Sequence, residues 1–158
     1  MLTIPHRRRT AWAVALAVLV TAAATACTQS PPGHDERLSK AAGLARVSLV
    51  VSKDLWNETK PDGSANEVTA HAEAITKGPK AGRGLVRVTM SGTNLVAYLK
   101  ELDHNAHPHA LDGDKQNTAA SRRVYDAVAP GVDRIKAARA ADDPQPEIII
   151  DDTIPKSA

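Results

Sequence analysis

No phenylalanine occurs in the 158 residues, and beyond residue 27 the large aromatic side chains are Trp56, Tyr98 and Tyr125. A core has to be assembled from Val, Leu, Ile and Ala, whose burial contributes about 25 cal/mol per Å² of apolar surface. Such a chain supports one small domain with a thin core. Its single cysteine, Cys27, supplies no substitute for a larger core. One cysteine cannot close an intrachain disulfide, and it cannot build a zinc ribbon, an iron–sulfur site or a CxxC redox centre.

The first 26 residues have the order of a signal peptide: a basic head at Arg7-Arg8-Arg9, an apolar stretch from Ala11 to Ala24, then small residues up to Cys27. This 14-residue stretch would span roughly 21 Å as a helix, short of the roughly 30 Å hydrocarbon core of a bilayer. Ala24-Thr25-Ala26-Cys27 resembles the lipobox of bacterial lipoproteins. The resemblance covers only the signal and its boundary. It implies cleavage before Cys27 and acylation of that residue, with lipid on the sulfur. The family usually carries Leu or another branched apolar residue three positions before the cysteine, where this chain has Ala24. The polar Thr28-Gln29-Ser30-Pro31-Pro32-Gly33 that follows reads as a tether. Two or more acyl chains on one residue give stable membrane attachment, whereas one binds marginally. The alternative is a secretory signal cleaved near Ala22-Ala23-Ala24 that releases a soluble protein. Thr10-Ala11-Trp12 fits poorly after twin arginines, which favours Sec over Tat export.

Export also changes the charge. The whole chain carries 20 Lys and Arg against 18 Asp and Glu, a net of +2. Removing Arg7, Arg8 and Arg9 leaves a net of −1, and the general electrostatic attraction to nucleic acid largely disappears. Nucleic acid is therefore not an expected partner.

The expected organisation is a signal peptide over 1–26, a lipidated cysteine and flexible tether over 27–37, and a single domain over 38–158. Leu38, Ala42, Ala45 and Leu49 follow helical spacing, while Val47, Leu49 and Val51 alternate with Ser48, Val50 and Ser52. The β-branched enrichment favours a strand from about Arg46 to Asn57. Asp62-Gly63 supplies a turn into a partner strand over Val68–Ala74, giving a long hairpin. Lys77–Gly84 reads as a loop, and Leu85–Met90 as a third strand with Val86, Val88 and Met90 on one face. Ser91 to Asn94 offers cap oxygens to a helix over about Asn94–Asp103, striped by Leu95, Val96, Leu99 and Leu102. Residues 104–117 read as a loop. A second helix starts near Thr118, striped by Val124, Val128, Val132 and Ile135, with Pro130-Gly131 expected to kink it or divide it in two. Glu147–Asp151 has the branching of a terminal strand. The expected fold is α+β: a small antiparallel sheet of about four strands covered on one face by two helices.

The densest group of potential ligands is the run from Asp103 through His104, His107 and His109, followed by Asp112 and Asp114. Neutral imidazoles and carboxylates suit zinc, and a loop lets closely spaced ligands converge. The spacing matches no zinc motif; a short His-rich tract suggests metal by composition alone. Asp112-Gly113-Asp114 begins like a calcium loop, but the sixth position is Asn117 and the twelfth is Arg123, which excludes an EF-hand. Ser91 follows a strand and precedes a helix, yet its flanking residues lack the glycine spacing of a nucleophile elbow, so capping is the expected role. Arg122-Arg123 near a helix start reads as a solvated face, with anion binding as its alternative. Ile148-Ile149-Ile150 reads as a sheet strand, or as a strand offered to a partner.

No catalytic motif survives this reading, and no cofactor is required. The expectation is a non-enzymatic, membrane-anchored extracytoplasmic domain that binds an envelope protein or a small ligand. The alternative is a zinc-binding protein or metal-dependent hydrolase built on His104, His107, His109, Asp112 and Asp114.

Overall fold

The computed structural model describes residues 30–61, 68–107, 117–136 and 144–150. Along the chain these form helix α1 (His34–Ala42), strand β1 (Val47–Ser52), helix α2 (Lys53–Thr59), strands β2 (Ala70–Ala74) and β3 (Leu85–Met90), helices α3 (Gly92–Ala106) and α4 (Thr118–Asp133), and strand β4 (Glu147–Ile149). The expected α+β architecture with a four-strand sheet is what the chain adopts.

The two periodicities that compete near residue 45 belong to successive elements. Gly33, in the left-handed region at φ 78°, turns the chain into α1. This helix brings residues from His34 into a domain expected to begin at Leu38. Strand β1 then runs only to Ser52, not to Asn57. The Ser52 side chain accepts the Leu55 N–H, and Asp54 adds negative charge to the first turn of α2. That helix buries Leu55 and Trp56 in the core.

The sheet order is β2-β3-β1-β4. The expected hairpin between β1 and β2 does not form, because β3 lies between them and pairs antiparallel with both. Side-chain burial accounts for this order. Val- and Leu-rich β1 and β3 occupy the centre, while β2, with Ala, His and Glu, takes an edge. Asp62 and Gly63 lie outside the described residues. On the other side β4 pairs parallel with β1, with Leu49 beside Ile148, so the sheet is mixed rather than wholly antiparallel.

Helices α3 and α4 pack on one face of this sheet, with α1 and α2 completing the layer. Val47, Leu49, Val51, Val86, Val88, Met90 and Ile148 face Leu95, Leu99, Leu102, Val124, Val128 and Val132. The rings of Trp56 and Tyr98 meet edge to face with centroids 5.6 Å apart. Thr59 Oγ1 donates to the Leu55 carbonyl at 2.8 Å, which leaves it to accept from the Tyr98 hydroxyl at 2.9 Å. Burial raises the Tyr98 phenol well above its ordinary value, so it keeps the donated proton.

Two further expectations shift. Helix α3 extends to Ala106, three residues beyond the expected end, and takes His104 out of the anticipated loop. Helix α4 is continuous through Pro130. Pro130 and the residue one turn earlier, Asp126, are both exposed, so water can take the carbonyl that proline leaves unbonded. Gly131 provides the close seat for β4, since a Cβ there would lie 2.8 Å from two carbons of Ile148.

The tightest approach is at Gly92. Its N–H donates to the Leu44 carbonyl at 3.1 Å, and a Cβ would overlap the carbonyl oxygens of Ala41 and Leu44. Gly92→Ala should therefore cost about 3 kcal/mol in denaturant unfolding, at the upper end of overpacking costs because the opposing atoms are backbone. Gly43→Ala is the matched control. Gly43 has φ −75° and a Cβ there would meet only the Lys40 carbonyl, at 3.6 Å, so stability should stay within about 0.5 kcal/mol.

Candidate functional site

One cluster of titratable side chains forms around Asp103, near the C-terminal end of α3. The Asp103 side chain is 12% exposed, and a buried carboxylate must be matched by donors. Three side chains supply them. Ser30, just before α1, donates its hydroxyl to Oδ2. His107, the C-cap of α3, places Nδ1 at 3.0 Å from Oδ1, where an ionised carboxylate requires Nδ1 to carry the proton. His34, in the first turn of α1, brings Nε2 to 3.8 Å from Oδ2.

The opposite side of the His34 ring meets α4. Nδ1 lies 2.6 Å from the Tyr125 hydroxyl, and the rings stack at 5.7 Å. Placing the His34 proton on Nε2, toward the carboxylate, leaves Nδ1 to accept from Tyr125. Burial raises the Tyr125 phenol, and the neighbouring Arg37 only partly offsets this, so Tyr125 remains a donor. Arg37 itself grips Asp133 with two parallel hydrogen bonds of 2.9 and 3.0 Å and reaches the Pro32 carbonyl at 2.9 Å. Its hydrogen bonds to Asp133 hold its guanidinium above the ordinary value. Asp103, His34, Tyr125 and Arg37 thus join α1, α3 and α4 through polar contacts.

This arrangement orients protons and secures the chain between Ser30 and Arg37. Tyr125 is 2% exposed, so its hydroxyl is not presented to solvent. A small depression of about 160 Å³ lies elsewhere, lined by Glu73, Ala74, Ile75, Thr76, Lys77 and Arg87. It is smaller than the roughly 300 Å³ at which cavities for drug-sized ligands begin.

The sequence-derived candidates separate. His104 is exposed on α3, whereas His107 is turned to Asp103. Cys27, His109, Asp112 and Asp114 lie outside the described residues. Among the described residues no group of three His, Cys, Asp or Glu side chains is placed to hold a metal ion. Ser91 caps α3 as expected, accepting the Asn94 N–H at 3.2 Å. Arg122 donates to the Ala106 carbonyl at 3.0 Å and closes the end of α3. Its role is C-terminal capping from a neighbouring helix. The residues that sequence reading missed are His34 and Arg37, which lie 69 and 66 positions from Asp103, across α1 and α3; Asp103 itself heads the ligand-rich run seen in the sequence. No local spacing signals such a meeting.

On the outer face of the sheet, Glu147 of β4 receives Lys80 at 3.3 Å and Arg87 at 3.1 Å. Burial pushes the Glu147 carboxyl up, but the hydrogen bonds and charges of both cations outweigh it and leave the value lowered.

No protein-family model matches the chain, and no curated protein or solved structure does so either.

Two tests follow from these contacts. Asp103→Ala should lose about 2 to 3 kcal/mol, because it leaves donors from two elements without an acceptor. Hydrogen exchange should show the loss first in α1. For Glu147, a lowered folded value means that its contribution is present above the ordinary 4.5 and is lost as pH falls through the folded value. The stability gap between the wild type and Glu147→Gln should therefore close from pH 7 to pH 3 in urea titrations. A gap that stays constant would contradict the assignment.

Proposed function

We propose that this chain is an exported protein, anchored by lipid at Cys27, whose α+β domain serves as a binding module on the extracytoplasmic side of the membrane. The observation that carries this reading is the sequence from Arg7 to Cys27: basic head, a 14-residue stretch that is apolar but for Thr21, small residues, and the chain's one cysteine. The fold is compatible with it. The described residues begin at Ser30, three positions after Cys27. No helix among the described residues is long and apolar enough to cross a membrane.

The binding role is favoured over catalysis by how the polar groups are used. The donors and acceptors around Asp103 are directed at one another, across three helices, and Tyr125 is enclosed. A domain of this kind presents its surface, and its partner is an envelope protein or a small ligand.

The test is Cys27→Ser in the full chain, expressed in a bacterial host. Wild type should partition into the detergent phase after phase separation and incorporate labelled palmitate. The variant should lose the label and retain an uncleaved signal. Equal processing and equal partition of the two proteins would overturn the lipid anchor and favour the secreted form.

A further inference from the structure

We infer that the edge of β2 left unpaired by the described residues is a self-association surface, on which a second copy of this chain pairs its own β2 antiparallel about a two-fold axis at Ala72. Among the described residues β2 is paired on one side only, with β3. Four of its five residues, His71 to Ala74, are exposed.

The direction of the backbone groups follows from the ladder. Ile75 donates its N–H to the Leu85 carbonyl at 3.0 Å, which makes Ile75 and Leu85 a hydrogen-bonded pair. Antiparallel pairs alternate between bonded and non-bonded, so Glu73 with Arg87 and His71 with Thr89 are bonded too. The remaining residues, Ala70, Ala72 and Ala74, then direct both N–H and C=O away from β3, toward the open edge. An edge with this arrangement is a template for another strand.

The side chains select which strand. A two-fold axis at Ala72 sets Ala72 opposite itself, Ala70 opposite Ala74, and His71 opposite Glu73. The outward alanines all fall at bonded positions and complete about six main-chain hydrogen bonds. They lie on the same face as Val86, Val88 and Met90, and their methyl groups offer no obstruction. His71 and Glu73 fall at the non-bonded positions, where opposing side chains come closest. Within one chain their side chains already meet at 2.7 Å. The axis therefore places each imidazole opposite a carboxylate of the second copy, twice over. The segment is complementary to itself in hydrogen bonding, imidazole N–H against carboxylate, and in size, which is what an isologous contact requires.

The full chain, purified in detergent, should sediment as a monomer–dimer mixture that shifts toward dimer with concentration. Ala72→Pro removes the N–H on the axis without touching a bond to β3, and should weaken the dimer at least tenfold with little change in the thermal melt. Cross-linking tests the register independently, including the case where the proline variant fails to fold. Two Ala72→Cys chains would bring their Cα atoms to about 5.5 Å, inside the disulfide range of about 4.4 to 6.8 Å. Oxidised membranes of expressing cells should then yield a covalent dimer that wild type, with only Cys27, does not give. Ala70→Cys and Ala74→Cys should cross-link when co-expressed and not when expressed alone. A chain that stays monomeric at all concentrations, or a dimer that Ala72→Pro leaves intact and Ala72→Cys fails to cross-link, would overturn the inference.

Discussion

The close approach of α3 to the end of α1 sets the rest of the domain in place. Gly92 sits against the backbone of Ala41 and Leu44, with one hydrogen bond joining the two segments. The next residues in each direction enter the sheet, where Val47 pairs with Met90. A single backbone contact therefore ties the start of β1, the end of β3 and two helices to one point. Because the core is made of medium and small aliphatic side chains, it has little large-residue volume with which to absorb a displacement there. Fixing α3 also places Leu95, Leu99 and Leu102 over the sheet and Asp103 beyond them.

Two polar systems complete the layers, and they differ in character. Around Asp103 the groups are largely withdrawn from water, so each donor has a defined acceptor and the loss of one partner is costly. The Lys80–Glu147–Arg87 cluster on the outer face of the sheet remains partly solvated. Screening by water limits its worth, and its effect is to fasten the short strand β4 rather than to build the core.

The sequence was most legible where one periodicity operated without competition. Leu85–Met90 and the stripe of Leu95, Leu99 and Leu102 led directly to β3 and α3. It misled where tertiary contacts decided between similar local options. Val-rich β1 looked long because the branched residues before Ser52 continue into Leu55 and Trp56; the cap at Ser52 turns those two into a helical face. Alternation identified β2 as a strand but carried no information on its neighbour, and the insertion of β3 was settled by which strands could be buried. Pro130 suggested a break because proline costs a helix one hydrogen bond, yet its exposed position reduces that cost. Histidines close in sequence drew attention to residues 104–109, whereas the imidazoles that share a carboxylate are His34 and His107, joined through Asp103. Ligand clusters on loops can be suspected from spacing; clusters made by crossing helices depend on the fold.

The hydrogen bond from Ser30 to Asp103 has a mechanical consequence for the anchored protein proposed above. Only Thr28 and Gln29 separate Cys27 from Ser30, and the three Cα-to-Cα steps span no more than about 11 Å when fully extended. Tension on the domain along that leash would bypass any long, compliant linker and arrive at the carboxylate that holds α1 against α3. Such a load would be resisted in turn by the His34–Tyr125 contact and the Arg37–Asp133 fork. The polar groups that secure the helices in the unstressed fold would then act as the strain relief where the domain is fastened to its membrane.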